Sequence, residues 1–230
     1  MPTHDDVFFW DKEYAHVNWA DGIDLSWIRP EIPEGSFVLD AGCGNGRYLK
    51  ELCRRFSCVG MDISSEGIRR AADRISAGKK TGQAQPELLT GSVTCIPFAD
   101  NSFDAVVSCG VFQHLDFADR KKASSEICRV LTDGGLFFFE SFGSDDMRRG
   151  GTVFHDSEGR PEENTYVRNS GIIYHYFTEE EIREVFPDAG FDIVKLTHVR
   201  RTRNFSGGIY ARHHIRCLLR KRQPETSEKR

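Results

Sequence analysis

Val38-Leu39-Asp40-Ala41-Gly42-Cys43-Gly44-Asn45-Gly46 is the stretch on which the fold turns. An apolar run ends in an acid, three glycines follow at alternate positions, and residues 47–56 then repeat Leu49, Leu52, Cys53 and Phe56 on one helical face. The pattern predicts a buried strand over 36–40, a loop, and a helix over 47–56. Glycines in such a loop let a ligand approach the backbone at the carboxyl edge of a parallel sheet. The spacing narrows the choice of ligand. Loops that bind a pyrophosphate read G-x-G-x-x-G, but here Arg47 stands where the third glycine belongs and Gly46 comes one residue early. Asp40 at the strand end would also repel a pyrophosphate. A nicotinamide-dependent oxidoreductase is therefore disfavoured, and a ligand that is cationic near Asp40 is favoured.

Outward from this unit, short apolar runs alternate with segments of helical period, the pattern of a parallel sheet covered by helices on both faces. Strands are expected over 58–62, 87–91, 103–109 and 136–141. A helix capped by Ser64 or Ser65 buries Ile68, Ala71, Ala72 and Ile75 and dissolves into the polar loop 78–85. Another buries Ala123, Ile127, Val130 and Leu131 and stops at Asp133-Gly134-Gly135. Residues 142–176 are glycine-rich, charged and without clear period, which marks them as an insertion or lid. Thr178-Glu179-Glu180-Glu181 has capping-box spacing before a helix that buries Ile182, Val185 and Phe186. Two β-type runs, 191–199 and 209–219, flank a turn at 204–208, and 223–230 reads as a disordered tail. The domain reading is an N-terminal cap at 1–35, one domain at 36–222 and the tail, with no internal repeat.

The chain has 230 residues, 39% hydrophobic and 29% charged, which excludes a disordered, collagenous or disulfide-miniprotein class. Seven cysteines, at 43, 53, 58, 95, 109, 128 and 217, form no C-x-x-C pair, so no zinc or redox motif is expected and a reducing cytoplasmic setting fits. No apolar run is long enough for a signal core or a membrane span. The net charge of −4 conceals a segregation. Between Ile193 and Pro224 nine Lys or Arg occur without an acid, which leaves −13 on the rest of the chain. Such a strip suits an RNA backbone or another anion, or simply blunts exposed edge strands.

At this point the sequence resembles the class I S-adenosylmethionine-dependent methyltransferase family. The resemblance rests on Asp40 to Gly46, Gly60-Met61-Asp62-Ile63-Ser64, Ile96-Pro97-Phe98-Ala99-Asp100-Asn101-Ser102-Phe103-Asp104, Phe112-Gln113-His114-Leu115, Val130 to Gly135 and Tyr176 to Glu181, in that order over roughly 36–196. It implies a Rossmann-like, doubly wound, seven-stranded and mostly parallel sheet with a C-terminal antiparallel hairpin. It also implies S-adenosylmethionine as cofactor, S-adenosylhomocysteine as product, and methyl transfer to a small-molecule acceptor. Some stretches, among them Gly42 to Leu49 and Asp119-Arg120-Lys121-Lys122, are also similar to tRNA wobble-uridine methyltransferases, although Gln113-His114 stands where that group tends to have two histidines. A non-catalytic cofactor-binding module is the third reading.

The resemblance assigns the methionine part of the cofactor to Gly42, Cys43 and Gly44, its amino end to Asp40, and a carbonyl beside that amine to Cys109. Asp62 falls 22 residues after Asp40, the separation at which a second acid meets ribose hydroxyls. Ile63 would pack on the adenine, and Ser92 with the Val93 backbone replaces the family's usual Asp near 92. His114 is the candidate general base, or alternatively orders the start of the next helix. In the aromatic segment from Phe8 to Trp19, Tyr14 is a candidate cofactor contact and Trp10 either lid or core. Tyr174-His175-Tyr176-Phe177 would line the acceptor pocket.

Overall fold

The structure, a computed structural model, describes residues 4–17, 19, 22–77, 85–205 and 208–224. Most of the loop expected at 78–85, the hairpin tip at 206–207 and the tail from 225 lie outside the described residues. The elements are α1 His4–His16, β1 Phe37–Ala41, α2 Arg47–Leu52, β2 Ser57–Asp62, α3 Ser65–Ala77, β3 Glu87–Thr90, β4 Phe103–Cys109, α4 Phe117–Val130, β5 Leu131–Phe142, β6 Thr152–His155, β7 Pro161–Val167, β8 Ile173–His175, α5 Glu179–Asp188, β9 Phe191–Phe205 and β10 Gly208–Lys221.

Seven strands form one sheet in the order β3-β2-β1-β4-β5-β10-β9. The five strands from β3 to β5 are parallel, and β10 runs antiparallel to both β5 and β9. The order reverses between β1 and β4, so a crevice opens at their carboxyl ends. Ser108 on β4 donates its hydroxyl to the Ala41 carbonyl at 2.9 Å, closing the sheet just below that crevice.

Two apolar layers cover the sheet. On one face Phe112, Phe137, Phe139, Phe177, Phe186 and Phe191 are buried edge-to-face or tilted against one another with α4 and α5 around them. On the other, Leu49, Leu52 and Ile75 of α2 and α3 meet Val38, Val107 and Phe138. Leu25, Ile28 and Ile32 are buried in this second layer, so part of the N-terminal segment packs as core.

Several boundaries depart from the sequence pattern. Helix α2 ends at Leu52, four residues early, because Phe56 reaches the core from a turn rather than from the helix. Helix α4 stops at Val130 and β5 begins at Leu131, since Leu131 pairs with Phe103 before the strand re-registers at Ala105 and Leu136. Residues 142–176 are not without regular structure: β6, β7 and β8 make a three-stranded antiparallel sheet. Its strands are short and carry few apolar side chains, which is why no period shows. Strands β9 and β10 are longer than expected and stay paired from Phe191 and Lys221 to Phe205 and Gly208.

Candidate active site

The crevice is built from backbone geometry first. Gly42, Gly44 and Gly46 all take positive φ, at 84°, 53° and 75°. A β-carbon at Gly42 would lie 2.1 Å from Val111 Cγ2, and one at Gly44 2.3 Å from the Tyr14 hydroxyl. Gly46 caps α2 in the left-handed region and abuts Ala71 of α3, so the early third glycine serves helix–helix contact. The loop is held on the next strand, where the Met61 carbonyl accepts the Gly42 and Cys43 amides at 2.7 and 2.9 Å.

Asp40 and Asp62 are both buried and flank this loop. Asp62 accepts the Gly44 amide at 2.8 Å on one oxygen and the Ser64 amide at 2.9 Å on the other. Helix α3 is capped by other groups: Ser64 Oγ accepts the Gly67 amide at 3.0 Å, and Asp11 of α1 accepts the Glu66 amide at 3.1 Å and the Ser64 hydroxyl at 2.6 Å. Burial pushes the Asp62 carboxyl up to about 6, against the two amides. Burial, then the Asp62 charge, pushes Asp40 to about 7, against the Leu49 amide and Arg47. One Asp40 oxygen, Oδ2, is buried with no hydrogen-bond partner. A buried carboxylate oxygen in this state has room for a donor, which the amino group of S-adenosylmethionine would supply.

The remaining expected contacts lie around the same opening. Burial, with Asp40 nearby, holds the Cys43 and Cys109 thiols well above their ordinary range, so both stay protonated. Ile63 is partly exposed beside Asp62. The Ser92 hydroxyl is engaged with Thr94 Oγ1 at 2.9 Å, and the Val93 side chain is buried in the core. Tyr14 stays a neutral phenol, raised by burial and by Asp62. Helix α1 that carries it is tied down by Asp11 and by Arg70, which donates to the Val17 and Ala15 carbonyls.

His114 ends a short 3-10 turn, Phe112–His114, rather than starting α4, which Asp116 caps. Its Nδ1 lies 2.8 Å from the Ile173 carbonyl, and since a carbonyl only accepts, Nδ1 carries the proton and Nε2 the lone pair. Burial lowers its pKa to about 4, with Arg148 adding to the effect against that carbonyl. The ring stands edge-on to Trp10 at 4.7 Å and to Tyr174 at 4.8 Å, and Tyr174 stacks parallel to Phe142 at 6.2 Å. Trp10 therefore belongs to this wall and not to the core. Of the expected acceptor quartet, Tyr174 joins the wall, whereas Phe177 is core and His175 turns to Thr165 and Glu181 at 2.7 Å each. Tyr176 donates to the Arg148 carbonyl at 2.9 Å. Asp11, Val111, Phe142 and Arg148 were not legible as site residues, because each acts on partners far away in sequence.

The methyltransferase domain profile matches residues 39–139. A protein of Encephalitozoon cuniculi provisionally described as a methyltransferase is 35% identical over 165 residues, covering 69% of this chain and 71% of its own length. The chain belongs to the class I S-adenosylmethionine-dependent methyltransferase family. A tRNA N(3)-methylcytidine methyltransferase of Drosophila melanogaster is 27% identical over 214 residues, and this chain, 84% covered, spans 64% of its length. A crystal structure of an S-adenosylmethionine-dependent methyltransferase from Anabaena variabilis superposes with a TM-score of 0.70 at 17% identity, covering 96% of each chain, and so shares the methyltransferase fold. Among the described residues no helix is long and apolar enough to cross a membrane.

Proposed function

We propose that this member of the methyltransferase family is an enzyme that transfers the methyl group of S-adenosylmethionine to a small-molecule acceptor in the cytoplasm. The observation that carries the reading is the buried pair Asp40 and Asp62 beside the glycine loop, with Asp40 Oδ2 lacking any partner. The cofactor supplies a methyl on a sulfonium, a leaving group that needs no further activation. Gly42, Cys43 and Gly44 hold its methionine part, Asp40 and the Cys109 carbonyl its amino end, Asp62 the ribose, and Ile63 with the Ser92–Val93 backbone the adenine. Tyr14 closes the site from α1.

The chain's task in the transfer is alignment and exclusion of water. The wall of Trp10, His114, Tyr174 and Phe142 favours a planar acceptor. A histidine held near 4 is a poor proton sink, so its Nε2 serves by accepting a hydrogen bond that orients the acceptor's O–H or N–H. Residues 142–176 cap the acceptor side of a single domain spanning 36–222. An RNA acceptor held by the C-terminal basic strip is disfavoured by the pairing of that strip: Arg200, Arg201, Arg212, Arg216, Lys221 and Arg222 all meet acids.

Titration calorimetry with S-adenosylhomocysteine and with NAD tests the cofactor, and only the former should bind. Incubation of a cell extract with cofactor labelled in its methyl group tests the acceptor, and label is expected in the small-molecule fraction. Label confined to RNA would overturn the small-molecule acceptor. No label from a protein that binds S-adenosylhomocysteine would overturn the enzyme in favour of a binding module.

A further inference from the structure

A cleft of about 550 Å³ opens between residues 22–30, α2 and α3, within the size range of small-ligand sites. Arg29, Arg47, Lys50 and Arg74 line it, and Glu51 is the one acid among the described lining residues. That acid is already committed, since its Oε2 meets Arg29 at 3.2 Å and the exposed Arg54 at 2.6 Å. Lys50 and Arg74 have no ion pair among the described residues, and Arg74 reaches only the Trp19 carbonyl, at 3.4 Å. Arg29 Nε is buried without a hydrogen-bond partner, although the far end of the same guanidinium donates to the Glu51 carbonyl at 2.9 Å. Burial, and then the charge of Arg47, hold Arg74 below its ordinary pKa, so two cations lie close enough here to repel each other.

The contrast with the C-terminal strip is direct. There the acids of the body meet six of the nine cations, whereas in this cleft Lys50 and Arg74 have no ion pair among the described residues. Guanidinium forks and an ammonium converging on one concavity match the oxygens of a phosphate. S-adenosylmethionine has no phosphate, so the cofactor does not account for the arrangement. We propose that this cleft is a phosphate-binding site, separate from the cofactor crevice and adjoining its loop through Arg47, that receives a phosphorylated ligand. The inference does not depend on the identity of the methyl acceptor.

The test is titration of the full chain with inorganic pyrophosphate and, separately, with a short single-stranded RNA. The wild type should bind at least one probe with an affinity that falls as salt rises. The double variant Lys50→Ala/Arg74→Ala should lose about tenfold or more, while its S-adenosylhomocysteine affinity stays within about twofold. Lys50→Arg/Arg74→Lys keeps the charges and should keep binding, which separates charge from folding. Binding of RNA that weakens with the same substitutions identifies a polynucleotide as the source of the phosphate. Binding of pyrophosphate without RNA identifies a small phosphorylated molecule, and either result upholds the site. Failure of the wild type to bind both probes, or unchanged binding by the Ala double variant, overturns it.

Discussion

The two halves of the sheet treat buried charge in opposite ways. At the β1–β4 crevice burial raises both Asp40 and Asp62, and the charge of Arg47 offsets it only in part at Asp40. Across β5, β10 and the small sheet, burial also pulls upward on Glu140, Asp146 and Glu181, yet each stays below the ordinary carboxylate value because its partners outweigh burial. Glu140 meets His214 and Arg216, Asp146 meets Arg212, and Glu181 meets His175 and Arg120. The difference teaches what each half is for. A buried carboxylate whose pKa is raised costs stability that a bound cation would recover, whereas a paired one fixes elements to each other.

Arg120 is the sharpest probe of the paired half. It is 1% exposed and joins α4 to Glu162 of β7 at 2.9 Å and to Glu181 of α5 at 3.0 Å. Arg120→Ala leaves two half-buried acids facing each other and should cost about 3–5 kcal/mol in urea denaturation. A loss below about 1 kcal/mol would show that the network is ornamental and would erase the contrast.

In the unpaired half, Asp62→Ala should weaken S-adenosylhomocysteine binding about 100-fold, a loss of about 2.7 kcal/mol, by removing a charged acceptor and releasing the Gly44 and Ser64 amides. Calorimetry reads this directly, and an unchanged Kd would refute the ribose role.

A smaller effect, specific in its pH dependence, comes from Asp40. Its folded-state pKa, about 7, lies above the ordinary 3.8, so the stability it contributes is present below the ordinary value and is lost as pH rises through about 7. Asp40→Asn should therefore raise the Tm of the ligand-free protein at pH 8 and leave it nearly unchanged at pH 4, a gain of about 1–2 kcal/mol in the upper range. The same variant should lose about tenfold in S-adenosylhomocysteine affinity at pH 8, and the wild type should release a proton on binding at pH 6.5. Equal Tm changes at both pH values would mean that Asp40 is already neutralised by something other than a ligand.

The two halves also differ in how much of them could be read from the chain. The crevice is local: a strand, a loop and a helix follow within twenty residues, and alternate glycines with an acid at the strand end leave little freedom. Asp40, Gly42, Gly44 and Asp62 were legible for that reason, and the second acid is reached one βαβ step later. His114 was legible as a candidate but not as a neutral ring bound to Ile173, because the carbonyl that fixes its tautomer lies 59 residues away. The basic strip shows the opposite failure. Its charge is plain in sequence, but six of its cations meet acids at 24, 133, 140, 145 and 146, which only folding brings to β9 and β10, and at Asp192 of β9 itself.

The chain by itself thus determined the parallel sheet, the order of its elements and the gathering of Asp40, the glycine loop and Asp62, since strand period and glycine spacing act over short distances. Tertiary structure alone decided the three-stranded sheet within 142–176, the closure of α1 over Gly44, and which cations meet acids and which line the cleft beside α2. The physical reason is that a charge is visible wherever it stands, but its neutralisation depends on distance in space, and that is set only when the layers pack.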